Sequence, residues 1–152
     1  MKPYKLAIVP ASLLAMTTAL AAEVTNADNV VFDGGSVAAS LTGAAGDAAN
    51  GRKVFANRKQ GNCLACHVNS EMPEQSFHGE VGPALDGVAD RWNEAEIRGI
   101  LVNSKNTFEG SIMPSFYRTT NGVRPLEKFE DKAILTAQQV EDVLAYLKTL
   151  KE

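Results

Sequence analysis

Cys63-Leu64-Ala65-Cys66-His67 decides how this chain folds. The C-x-x-C-H spacing lets two thiols reach the two vinyl groups along one porphyrin edge while the adjacent imidazole lies under the ring and ligates its iron. Other chemistries built on paired cysteines do not fit. A zinc site takes four ligands, and the chain holds two cysteines and two histidines with no second C-x-x-C. A thioredoxin-like motif opens the helix of a βαβ unit, and no strand pattern precedes Gly61. A structural disulfide across two residues would be strained. The stretch therefore points to one covalently attached haem c at the centre of the core. Both cysteines are consumed by it, so no disulfide is left to support the fold, and the apoprotein is expected to be poorly folded.

Toward the N-terminus, Lys2 and Lys5 precede an apolar run from Leu6 to Leu20, and Ala19-Leu20-Ala21 offers a small-x-small cleavage site. Residues 1–21 read as a signal peptide, with the mature chain starting at Ala22 or Glu23. Pro10, Thr17 and Thr18 interrupt the run, which falls short of the roughly 18 to 20 clean apolar residues of a spanning helix. Export to the periplasm with no membrane anchor is expected, the compartment in which haem attachment of this kind is completed. Without the two leader lysines, 13 basic residues face 18 acidic ones, a net charge that does not suggest nucleic acid. About 130 mature residues make one domain with a modest core.

The mature chain divides at Asp47. Residues 22–46 are rich in Ala, Gly, Ser and Thr, with Val30-Val31-Phe32 and Leu41 as the substantial apolar anchors; they read as an extended arm, either a loose tail or a segment that packs across a partner. Residues 47–152 read as an all-α domain. Asp47 can cap a helix running to about Lys59 that carries Ala48, Gly51 and Phe55 on one face, with Gly51 permitting close approach. Asn93 with Glu96 opens another helix through Ile97, Ile100 and Leu101 to near Ser104. Thr136 with Gln139 forms a capping box before the stripe Val140, Val143, Leu144, Leu147 and Leu150. Phe55 and Tyr146 are expected to meet.

Two Gly/Pro-rich connections carry chemistry. Gly79-Glu80-Val81-Gly82-Pro83-Ala84-Leu85-Asp86-Gly87 follows the haem motif at a distance that could wrap its proximal side. A metal-bound imidazole usually donates its second N–H to a carbonyl or carboxylate, which makes the Pro83 carbonyl the candidate acceptor from His67. Gly110-Ser111-Ile112-Met113-Pro114-Ser115-Phe116-Tyr117 could supply a sixth ligand. Met113 lies 46 positions beyond His67 with a helix between, enough chain to cross to the other face of the ring. Met72 and His78 compete with it and start on the proximal side. His67 and Met113 as axial ligands would favour ferrous iron and raise the reduction potential, leaving electron transfer rather than oxygen activation.

Arg52, Lys53, Arg58 and Lys59 could frame the haem edge for an acidic partner or form a solvated helix face. Arg91, Trp92 and Tyr117 are candidates for contacts with the haem propionates or for packing on the ring. The segment from Arg118 to Lys132 reads as a surface loop.

Taken together, the capped helix before Cys63-Leu64-Ala65-Cys66-His67, the Gly82-Pro83-x-Leu85 element, Ile112-Met113-Pro114 and the C-terminal helix resemble the class I c-type cytochromes. Longer signatures are similar to the SoxX family, the monohaem subunits of SoxAX cytochrome complexes: Ser40-Leu41-Thr42-Gly43, Gly61-Asn62 before the motif, Leu85-Asp86-Gly87-Val88-Ala89-Asp90-Arg91 and Met113-Pro114-Ser115-Phe116-Tyr117. That resemblance implies a heterodimer with a SoxA-type cytochrome subunit that carries the catalytic haem and a modified cysteine. It also implies oxidative coupling of thiosulfate to a carrier-protein cysteine, and electron delivery from this chain to a downstream periplasmic cytochrome. The present chain would then contribute no catalytic residue. A free periplasmic electron shuttle and a haem-based ligand sensor are the other classes the residues permit.

Overall fold

A single aspartate starts the helix that precedes the haem motif. In the computed structural model, which describes residues 23–120 and 125–152, Asp47 is the N-cap of α1 (Ala48–Ala56) and its carboxylate accepts the Ala49 N–H at 2.8 Å. Such a cap contributes about 1 kcal/mol. α1 stops three residues short of Lys59 because Asn57 turns into extended backbone (φ −72°, ψ 113°), and the chain bends through 57–61 to reach Asn62, which sits in the left-handed region at φ 51°. A one-turn helix, α2 (Val88–Arg91), follows the motif and its strap. α3 (Glu94–Asn103) opens on the reciprocal Asn93/Glu96 capping box. α4 (Ala137–Leu147) opens on the Thr136/Gln139 box. The described residues contain no strand, only an isolated bridge between Asp33 and Ser36, so the architecture is all-α. The signal-peptide expectation lies outside the described residues.

α1 and α4 cross at backbone contact. A Cβ on Gly51 would stand 1.8 Å from the Asp142 carbonyl oxygen, and one on Gly46 would stand 2.0 Å from that of Glu141; only glycine admits this approach. The same crossing brings Phe55 edge-on to Tyr146 with centroids 5.5 Å apart. All five residues of the C-terminal stripe are buried, Leu150 included although the helix ends at Leu147.

Asp142 receives the start of α1. Its carboxylate accepts the Asp47 N–H at 2.8 Å, the Asn50 amide at 2.6 Å and the Gln138 amide at 2.9 Å. Burial opposes its ionisation, but those three donors outweigh it and hold the carboxyl below its ordinary range. A depressed carboxyl pKa contributes stability that is present above the unfolded value of about 3.9 and is lost as pH falls through the lower folded value. The melting temperature should therefore fall on acidification below about pH 4, and Asp142→Asn should show a smaller acid-induced fall than wild type in thermal melts at pH 7 and pH 3.

Residues 23–46 pack on the domain itself. Val37 and Leu41 are 2% and 1% exposed, and Ala27 joins them in the core, whereas Val31 is 82% exposed. Of the expected anchors Leu41 lies in the core and Val30 and Phe32 pack half-buried against it, while Val31 is exposed; Val37 is an additional anchor, its N–H reaching the Ala95 carbonyl at 2.9 Å. Beneath this segment lies a buried ion pair: Arg98 and Glu141, each 4% exposed at the side chain, meet through Nε–Oε1 at 2.9 Å and Nη2–Oε2 at 3.2 Å. Arg98 also donates to the Val37 carbonyl at 3.0 Å, and Glu141 accepts the Leu41 N–H at 2.8 Å. One charge pair thus joins α3, α4 and the N-terminal segment.

Candidate haem site

The haem motif occupies a 3-10 turn, Cys63–Ala65, pinned by its own backbone: the His67 and Cys66 amides donate to the Cys63 carbonyl at 3.0 and 3.1 Å. The segment after it runs back along the motif, with the Gly79 N–H on the Leu64 carbonyl at 2.8 Å, the Gly82 N–H on the Cys66 carbonyl at 2.8 Å and the Leu85 N–H on the Val68 carbonyl at 2.9 Å. This strap brings Pro83 to the imidazole. His67 Nδ1–H donates to the Pro83 carbonyl at 2.7 Å, which fixes the tautomer and leaves Nε2 as the nitrogen with a free lone pair. Gly82 lies flat on the ring, since a Cβ there would stand 2.4 Å from His67 Cε1.

These features fit a covalently held haem. The histidine is oriented by a backbone carbonyl, the strap is glycine where the ring needs room, and both thiols lie beside it in one turn. Burial pushes the Cys63 thiol up to about 12, away from the ready thiolate of a redox-active cysteine. No group of three or more His, Cys, Asp or Glu suited to a metal ion occurs among the described residues. Val81 and Ile112, sequence neighbours of Gly82 and Met113, are large apolar side chains left 64% and 79% exposed.

The three candidate sixth ligands differ in how the fold uses them. Met72 is 0% exposed, inside the core. His78 has both ring nitrogens engaged, Nδ1 accepting the Asn69 N–H at 3.2 Å and Nε2–H donating to the Met72 carbonyl at 3.1 Å. Met113 is half-buried at the margin of the core, its N–H donating to Ser111 Oγ at 3.2 Å and its carbonyl accepting from Ser104 Oγ at 2.9 Å and from Lys105 Nζ.

Several residues singled out for the ring have other partners. Arg91 spans the carbonyls of Ala84 at 2.8 Å and Asp86 at 2.6 Å, clamping the strap just beyond Pro83. The Tyr117 hydroxyl donates to the Thr25 carbonyl at 2.7 Å, and Trp92 meets Phe108 edge-on at 5.7 Å. Within the basic group, Arg52 is tied to Glu74 at 2.7 Å and to the Glu71 carbonyl at 3.0 Å, while Arg58 lines a cavity of about 360 Å³ with Leu64, Ala65 and Phe77. Nothing in the sequence pattern marked Arg91 as a clamp or Ser104 as a partner of Met113, because each bonds to a backbone carbonyl that any residue supplies.

The sequence model of the cytochrome c family matches residues 48–151. Among solved structures, a chain of the crystal structure of SoxXA from P. pantotrophus is 47% identical, with a TM-score of 0.79 over 84% of this chain and 98% of that chain. No curated protein sequence matches.

Proposed function

Because the chain belongs to the cytochrome c family as a monohaem cytochrome of the SoxX type, we propose that it is the electron-transfer subunit of a heterodimeric periplasmic complex with a SoxA-type cytochrome. The complex would oxidatively couple thiosulfate to a carrier-protein cysteine, and this chain would take up the electrons released and pass them to another cytochrome. The observation that carries the proposal is the His67–Pro83 bond at 2.7 Å on a chain so similar to one of SoxXA. Haem c supplies a one-electron iron couple. Cys63 and Cys66 would hold it covalently, and His67, whose Nδ1–H donates to the Pro83 carbonyl, would offer Nε2 as a ligand with its basicity raised by that bond. Met113 would supply the sixth ligand, a thioether that favours the reduced state. Neither cysteine would then be left for sulfur chemistry, in keeping with a catalytic site on the partner.

Two measurements test this. Co-expressed with the SoxA-type subunit from the same source, the holoprotein should elute as a one-to-one complex that survives high salt; a lone monomer with salt-sensitive contacts would make it a free shuttle instead. Met113→His should lower the reduction potential by more than about 59 mV, one tenfold step for a one-electron couple, as read by redox titration.

A further inference from the structure

The stretch carrying Met113 is joined to the C-terminal end of α3 residue by residue. Leu101 and Val102 accept through their carbonyls from the Phe116 and Tyr117 amides at 3.1 and 3.4 Å. Asn103 Oδ1 accepts from the Ser115 hydroxyl at 2.7 Å. Ser104 Oγ–H donates to the Met113 carbonyl at 2.9 Å, and Lys105 Nζ donates to the same oxygen. Ser104 is 0% exposed, so its hydroxyl has no water to bond instead. Its own carbonyl does the local structural work of the helix end, accepting the Thr107 and Phe108 amides at 3.2 and 2.8 Å. Replacement of the side chain leaves those two bonds intact, and the hydroxyl serves Met113.

We propose that Ser104 is a positioning residue for the sixth ligand, its buried hydroxyl holding the Met113 backbone so that the thioether stays committed to the iron and outside ligands are kept from that position. Lys105 backs it from the surface. The inference rests on the reading of Met113 as ligand. With the peptide planes on both sides of Met113 tied, by Ser111 at its amide and by Ser104 and Lys105 at its carbonyl, only side-chain torsions remain free.

Imidazole titration of the ferric holoprotein tests this, because imidazole competes for the sixth position. A net hydrogen bond of ordinary strength corresponds to a roughly three- to tenfold gain in apparent imidazole affinity for Ser104→Ala. Lys105→Met, at an exposed residue, should move it the same way and by less. Met113→Ala should raise affinity further, and Ser104→Ala added to Met113→Ala should change nothing more, because the hydroxyl acts through the ligand it holds. Affinity within twofold of wild type for both Ser104→Ala and Lys105→Met overturns the proposal, as does an equal gain from Ser104→Ala with and without Met113. The ligand reading fails by a different sign, a Met113→Ala protein that binds imidazole no more tightly than wild type. Should Ser104→Ala not fold, Lys105→Met carries the same cycle.

Discussion

Gly82→Ala is expected to lower the melting temperature of the holoprotein by roughly 10 to 20 °C and to reduce the yield of haem-loaded protein. The added methyl would stand 2.4 Å from Cε1, 2.8 Å from Nδ1 and 3.0 Å from Nε2 of His67, all below contact distance. The imidazole cannot swing aside freely, because Pro83 holds Nδ1 at 2.7 Å and the motif backbone is itself bonded to the strap. Either the strap lifts from the motif or the ring leaves its acceptor. Overpacking of this kind costs about 3 kcal/mol, and each kcal/mol moves the midpoint of a domain near 100 residues by about 4 to 8 °C. Gly110→Ala is the matched control. Its φ of +74° makes alanine strained, but nothing lies within 4 Å of the new methyl, so the cost is about 1 kcal/mol. Equal melting temperatures for the two variants would show that the strap does not press on the imidazole.

Glu141→Ala should destabilise the protein by about 3 to 5 kcal/mol. It removes the buried carboxylate that accepts twice from the Arg98 guanidinium, leaving that cation, 4% exposed at the side chain, with the half-exposed Glu94 as its remaining carboxylate partner, and it strands the Leu41 N–H that Oε1 accepts at 2.8 Å. Arg98 cannot shed its charge, because a guanidinium stays protonated even when buried; in the wild-type protein burial works to lower its pKa, but the bonds and charges of Glu141 and Glu94 outweigh that and raise it. The loss should appear first as release of the N-terminal segment, whose Val37 and Ala38 carbonyls accept from Arg98 at 3.0 and 3.4 Å. Amide exchange at Val37 and Leu41 should therefore accelerate before that of α4. Replacing both partners with apolar residues of similar volume, Arg98→Met with Glu141→Leu, should recover much of the loss, because the buried charge goes with its partner.

What could be read in the sequence was local or chemically obligatory. The Asn93/Glu96 and Thr136/Gln139 capping boxes stand where expected, since a cap needs residues only three apart. The Phe55–Tyr146 contact was accessible because both lie on helix faces of known period. The acceptor for His67 followed from the rule that a ligating imidazole is held at its second nitrogen, and the bond to Pro83 is present. The end of α1 was misjudged by three residues because Asn57 leaves the helix with no proline or glycine beside it to signal the break. Arg98 and Glu141 are 43 positions apart and each reads as an ordinary charge on an amphipathic helix. Val37 joins Val30, Phe32 and Leu41 as an anchor that residue type alone does not mark, because its place is set by where the segment meets α3, through the Ala95 carbonyl.

The proposed function requires one covalent haem held between His67 and Met113. The ferric absorption spectrum of the purified holoprotein, recorded beside those of Met113→Ala and His78→Ala, tests it most directly. A weak far-red sulfur-to-iron band is expected in wild type and in His78→Ala and is expected to be absent from Met113→Ala. A band that survives in Met113→Ala, or that disappears in His78→Ala, would contradict it.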